Sequence, residues 1–283
     1  MNATPAAAPA TTRRLLHLRA YRGFVTGTFH KMLAYRLRYY TGIVSYLVYV
    51  TIYYFLWKAA YASLPAGAVI RGFTFEEMVT YIAVSWCSRS FYFNNVDREL
   101  SEQVQKGDIA VALARPVSLQ GTVMANALGE GLFRMICFSV PISLVIWLIF
   151  PVQLPSSWLH AGAFFLSLVL ALVILTHVNF LVGMCAFPLK NVDGVMRAKH
   201  YLLELLSGVQ MPIAFFPGWL IAASSFLPFQ SIGFIPTAIW LGKLDGEALL
   251  RGLGLQAAWA AGLVAACALV WSRASRRLTV QGG

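Results

Sequence analysis

Glu130 and Arg134 stand four residues apart in an apolar stretch, carboxylate first, the order that favours an i,i+4 ion pair on a helix. Ionised groups in such surroundings are costly unless they pair or face water, so both belong on the interior side of a helical bundle. Arg89, between Ser88 and Ser90, meets the same constraint with no partner evident from spacing, and Glu204 is a further candidate of this kind. Tyr46, Tyr49, Tyr53 and Trp57 recur at spacings of 3, 4 and 4, which puts four aromatic side chains on one helical face. Such a face either packs between helices or lines a path for flat or cationic molecules through stacking and cation–π contact.

Catalytic patterns are missing from the sequence. No GxxxxGK[ST] stretch occurs, so the chain is not expected to hydrolyse nucleotide itself, and there is no HExxH, GxSxG or carboxylate–histidine cluster. The five histidines (His17, His30, His160, His177, His200) are scattered and read as packing or interface residues. The four cysteines (Cys87, Cys137, Cys185, Cys267) all fall in apolar segments without metal-ligand spacing and read as small buried hydrophobes. Neither a metal nor a cofactor is expected in this chain.

A second group of residues is polar and patterned for a mechanical role. Glu99, Glu102, Gln103 and Lys106 are spaced for the faces of a short amphipathic helix that Gly107 ends with a left-handed cap. Asp108 follows, then a second apolar turn that closes on Leu113, and beyond Arg115 the ring of Pro116 prevents continuation. A helix lying across the mouth of a transmembrane bundle can receive force from a soluble partner. That role is expected for residues 94–117.

The elements that must position these groups are membrane helices. Of 283 residues, 59% are hydrophobic and only 12% charged, against about 25% charged in a soluble domain. The net charge of +11 would suit nucleic acid, but the cations sit at the ends of apolar spans, where they face lipid head groups; no nucleic-acid partner is expected. Spans of about 20 apolar residues read at 40–61, 75–93, 122–150, 159–189, 201–216 and 249–271. The expected fold is therefore an all-α membrane protein with six transmembrane helices.

Assigning the N-terminus to the cytoplasm puts sixteen of the 22 Lys+Arg on that side. Lys58, Arg71, Lys243 and Arg251 fall outside, and Arg89 and Arg134 lie within spans. The positive-inside bias thus predicts both termini in the cytoplasm, with residues 94–117 on the same side. Residues 1–14 read as a disordered Ala/Pro/Thr-rich start, and 15–39 as an amphipathic interfacial helix whose cations meet anionic lipid. His17, Arg19 and Arg22 interrupt the apolar run an export signal would need, so no cleavable leader is expected. The transmembrane body occupies 40–283. Within it, residues 208–246 are apolar but broken by Pro212, Pro217, Pro228 and Pro236. Prolines at those intervals predict short helices dipping back into the bilayer, buried in protein where their backbone is unpaired.

The pattern of a Glu, then Gly107, Leu113 and Pro116 after the second span resembles the coupling region of ABC-2 type transporter permeases. The later stretch with Pro212, Phe216-Pro217-Gly218, Pro228-Phe229 and Pro236 is similar to that family's outer re-entrant helical hairpin. The basic N-terminal segment resembles its connecting helix, and the ending Arg276-Arg277-Leu278-Thr279-Val280-Gln281-Gly282-Gly283 resembles a terminus found in a compact six-span branch assigned to drug or xenobiotic export. The resemblance implies a permease subunit in the bacterial cytoplasmic (inner) membrane. It also implies a second permease, identical or homologous, over two ABC ATPase subunits that bind ATP and Mg. Cargo would be a small amphipathic molecule moved outward; the alternative is a lipid or polysaccharide precursor. An ion-coupled transporter is disfavoured because Glu130 and Glu204 lie near span ends and no inverted repeat is visible.

Overall fold

The structure is a computed structural model that describes residues 10–34, 37–113, 115–189 and 191–276. The side chains of 10–17, 37–41, 43, 112 and 113 also lie outside that description. Among the described residues every regular element is helical: α1 (Ala10–Ala34), α2 (Leu37–Tyr61), α3 (Phe75–Tyr92), α4 (Val96–Lys106), α5 (Ile109–Leu113), α6 (Leu119–Arg134), α7 (Val140–Ile149), α8 (Trp158–Met184), α9 (Asp193–Leu206), α10 (Gly218–Ser225), α11 (Phe234–Trp240) and α12 (Gly246–Ser275).

Local chemistry sets the starts of several helices. Thr74 and Glu77 form a reciprocal capping box at the head of α3, satisfying two otherwise orphaned donors. Ser118, Ser157 and Asp245 cap α6, α8 and α12. α6 runs into α7 through a π-helical turn, Met135–Ser139, immediately ahead of Pro141. Proline offers no N–H, so the ladder changes register at this point.

α8 is central. Ala171, Leu172, Ile174 and Leu175 are fully buried in a cluster that also holds Phe91 and Tyr92 of α3, Leu203 and Leu206 of α9, and Ala260 of α12. A second cluster joins α2, α3 and α7 through Val50, Trp86, Phe138 and Ile146, and a third binds α4 and α5 to the ends of α8 and α12. In a membrane the exposed apolar faces of such a bundle meet lipid or another chain.

The chain is a membrane protein, and among the described residues three helices, or four with one bent pair, are long and apolar enough to cross a membrane. Leu119–Ile149, Trp158–Met184 and Gly246–Ser275 are long and apolar enough to span, and Gly218–Ser225 with Phe229–Trp240 form a pair bent by 78°. α3 is 18 residues long and carries Glu76, Glu77 and Arg89, and α9 has only 14 residues. The span expected at 201–216 breaks at Leu206, because the chain turns through Ser207 and Gly208 and Pro212 precedes a single 3-10 turn at Ile213–Phe215. The fourth span likewise ends at Met184 rather than at 189.

The N-terminal segment differs from expectation in where its helix begins. Its helix already starts at Ala10, inside the stretch read as unstructured, and residues 1–9 lie outside the described part. α1 lies along α6, with Thr28 Oγ1 donating to Asn126 Oδ1 at 3.0 Å and Tyr21 and Ser118 hydroxyls 3.0 Å apart.

Candidate functional site

The polar segment forms a shelf at one end of the bundle. Val96, Leu100 and Val104 of α4 recur every four residues and, with Ile109 of α5, pack on Phe180 and Met184 of α8. The opposite face presents Arg98, Glu102 and Lys106, joined by Arg98 Nε–Glu102 Oε1 (3.2 Å) and Lys106 Nζ–Glu102 Oε2 (3.5 Å) contacts. These pairs are exposed and add little stability. Their cations hold the Glu102 carboxyl below the usual carboxylate range, Arg98 first among them. Gly107 caps α4 at φ +81°, where a side chain would be strained. Asp108, Arg115 and Pro116 are exposed beyond it, and the Leu113 side chain lies outside the described residues.

Glu99 points the other way, toward α1 and α6. It shares a polar pocket of about 140 Å³ with Lys31, Arg115, Asn126 and Glu130. Burial pushes its carboxyl above the usual range, opposed by Lys31.

Sequence reasoning passed over the residues that fix this shelf to the bundle. Lys199 Nζ of α9 donates to Asp97 Oδ2 of α4 and to Asn179 Oδ1 of α8, both at 2.8 Å. Asn179 Nδ2 donates to the side-chain oxygen of Asn94 (2.9 Å) and to its carbonyl (3.0 Å), and Asn94 Nδ2 donates to Thr176 Oγ1 at 3.1 Å. Asp97, Asn94, Asn179 and Thr176 are all buried. The available signal was the presence of Asp97 and Lys199 beside apolar helix faces, without any spacing to join them.

The charges placed in spans are paired. Glu130 and Arg134 form the expected i,i+4 bridge, and Arg134 Nη1 also donates to the Phe93 carbonyl at 2.6 Å. Arg89 of α3 pairs with Glu204 of α9, and Gln210 Nε2 donates to Glu204 at 3.0 Å. Tyr53 Oη reaches Gln210 Oε1 at 3.3 Å, so the aromatic face joins the same network. That face lies on α2 as its spacing predicts. Tyr49 stacks on Trp86 (4.3 Å between ring centroids), Tyr46 meets Phe138 edge-on at 5.0 Å, and Trp57 meets Phe215 at 5.2 Å. Tyr49 is still 46% exposed, and the indole N–H groups of Trp57 and Trp86 have no hydrogen-bond partner.

At the end opposite α4, the proline-punctuated stretch forms the bent pair. Pro212, Phe216, Pro228, Phe229 and Pro236 are buried, whereas Pro217 and Gly218 are exposed at the start of α10. Its irregular backbone is satisfied by protein groups. Tyr81 Oη donates to the Gly208 carbonyl (2.6 Å), Ser85 Oγ to that of Val209 (3.0 Å), and the Phe234 N–H to that of Ser207 (2.8 Å). Gln256 of α12, fully buried, donates to the Ser231 carbonyl at 2.6 Å and accepts from Ser167 Oγ at 2.8 Å. An apolar groove of about 530 Å³ opens between α3, α7 and α8, lined by Phe91, Val140, Leu144, Trp147 and Phe165. Among the described residues no group of His, Cys, Asp or Glu has metal-binding geometry.

A profile described as ABC-2 family transporter protein matches residues 47–282, which covers α3 to α12 and most of α2. The chain belongs to the ABC-2 transporter family. A comparison with curated proteins returns no match. Membership makes this ABC-2 chain the membrane subunit of a transporter, with ATP hydrolysis residing in an associated ABC ATPase. α1 precedes the matched region, and the terminal run 277–283 lies outside the described residues.

Proposed function

We propose that this ABC-2 permease is one half of the membrane unit of an exporter in a bacterial inner membrane. Two such chains, identical or homologous, would stand over two ATPase subunits, each permease crossing six times with both termini in the cytoplasm. α2, α3, α6–α7, α8, α9 with its following turn, and α12 would be the spans. The observation carrying this reading is the α4–Gly107–α5–Pro116 shelf, whose apolar face is anchored on α8 while its charged face is free for a partner. Glu102, Lys106, Asp108 and Arg115 would meet the ATPase there, with Glu99 and Leu113 setting the shelf's seat.

The cargo favoured by the side chains is a small, flat, amphipathic molecule. Tyr46, Tyr49, Tyr53 and Trp57 supply ring surface, and the buried, unpartnered indole N–H groups of Trp57 and Trp86 beside it would donate to an oxygen or nitrogen acceptor of a cargo that opens the face. Arg89–Glu204 and Glu130–Arg134 line the way to that face, and the bent α10–α11 pair would form the outer hairpin past which cargo leaves. ATP-driven closure of the partner would rock the two permeases between inward- and outward-open states. A second reading rests on the groove between α3, α7 and α8: apolar and flanked by candidate spans, it suits an acyl chain and so a lipid or lipid-linked precursor.

Deleting the gene separates the two. The first reading expects sensitivity to several planar toxic cations, restored by the intact chain and not by one with Tyr49→Ala and Tyr53→Ala. Unchanged sensitivity together with accumulation of a lipid or polysaccharide precursor would establish the second.

A further inference from the structure

α9 is held to the bundle in an unusual way. Only Leu203 and Leu206 of its 14 residues are buried, and Tyr201, Leu202 and Leu205 are exposed. Two ion pairs supply what apolar packing does not. At its middle, Lys199 enters the network of Asp97, Asn179 and Asn94. Near its end, Glu204 pairs with Arg89 and receives Gln210, which in turn meets Tyr53 of the aromatic face. The helix is therefore a strut with one polar joint on the shelf and another on the aromatic face.

The shelf side of the strut is tight. Gly183 of α8 faces Leu100 and Asp97 of α4 so closely that an added Cβ would lie 2.9 Å from Leu100 Cβ and 3.0 Å from the Asp97 carbonyl. With that spacing α4 has little freedom to slide on α8, and among the described residues Lys199 is the cation that pairs with Asp97 within hydrogen-bond reach. A buried charge left without its partner is strongly unfavourable, so when α4 shifts, Lys199 follows Asp97 instead of parting from it.

From this arrangement the geometry points to the Asp97–Lys199 pair as the tie that makes α9 move with the coupling shelf and so carries the ATPase stroke to Glu204 and the aromatic face. Asp97 and Lys199 are positioning residues in this scheme; neither touches cargo or nucleotide. The inference rests on the permease reading above and adds the route by which the stroke travels inside the subunit. Asn179 and Asn94 serve as the fixed hinge plate, since both are buried and joined to α8 and to the α3–α4 connection.

The test uses the full chain co-purified with its ATPase in lipid nanodiscs. Spin labels carried by a ketone-bearing amino acid at Gln105 of α4 and Tyr201 of α9, both exposed, report the distance between shelf and strut. Measurements are made without nucleotide and after trapping with Mg-ATP and vanadate. In the otherwise unchanged chain the 105–201 distance should stay constant on trapping, because the two helices move together. Lys199→Met, and Lys199→Gln as a variant that keeps a donor toward Asn179, should retain the ATPase. Both should show a shift on the order of 2 Å or more on trapping, the scale of a helix displacement. The exchanged pair Asp97→Lys with Lys199→Asp should restore constancy, which a merely structural loss would not. A distance as constant in both single variants as in the parent would overturn the tie, as would an exchanged pair that behaves like them. If the parent chain retains no ATPase, the permease reading itself fails and the tie falls with it.

Discussion

Arg89 of α3 and Glu204 of α9 lie 115 residues apart in sequence, yet their charged groups meet inside the bundle with side-chain exposures of only 12% and 17%. Neither charge is tolerable alone at that depth. Replacing either by a neutral residue, Arg89→Met or Glu204→Met, should cost about 3–5 kcal/mol, the usual penalty for orphaning a buried partner. The paired change to Met at both positions should recover much of that loss. Thermal midpoints of the purified variants in detergent check this through a double-mutant cycle.

Glu130 and Arg134 should behave asymmetrically. Arg134 also donates to the Phe93 carbonyl and lies 5.6 Å from the Phe93 ring centroid, so Arg134→Met strips these contacts along with the ion pair. Glu130→Gln leaves an amide oxygen that can still accept from Arg134. The arginine variant should therefore be the less stable by about 1–3 kcal/mol, the worth of hydrogen bonds to a charged group. Membrane yield and thermal midpoint of the two single variants decide the order.

Gly107 should tolerate asparagine and not valine. The cap at φ +81° penalises a β-branched side chain by about 1–2 kcal/mol, and nothing crowds the position, so the cost is conformational. Gly107→Val should lower ATP turnover stimulated by the permease while the chain still inserts; Gly107→Asn should fall between it and the parent.

Acidity should tune the seat of α4. Burial raises the Glu99 carboxyl above its ordinary value of 4.5, so its protonated form is favoured in the packed state. The stability it contributes is present below that ordinary value and is lost as pH rises through the raised one. Glu102 has the opposite sign: Arg98 and Lys106 lower its pKa, so its contribution is present above the ordinary range and lost as pH falls. Amide exchange of α4, corrected for intrinsic rates, should quicken as pH climbs through the mildly acidic range, and Glu99→Gln should flatten that response.

What the sequence revealed and what it hid follow a physical divide. Pairs fixed by one helix were readable: the Glu130–Arg134 spacing, the stripe from Tyr46 to Trp57, and the Gly107 and Pro116 stops are properties of local geometry. Arg89–Glu204, Asp97–Lys199 and Gln256–Ser231 join different helices, and no spacing encodes such a meeting. Apolar composition misled at 207–216. It reports burial, which those residues do have, but the backbone there turns and is satisfied by Tyr81 and Ser85 instead of continuing as helix. Nor did spacing show that Tyr21 and Thr28 seat α1 on α6.

The central claim is that a separate ATPase drives this ABC-2 permease through the α4–α5 shelf. Photo-crosslinking from single sites in the intact complex tests it most directly. A benzophenone amino acid replacing Arg98, Glu102, Lys106 or Asp108, all exposed on the shelf, should capture the co-expressed ATPase. The same group at Trp219 of α10, exposed at the opposite end, should not. Capture from Trp219 with none from the four shelf positions would contradict the account.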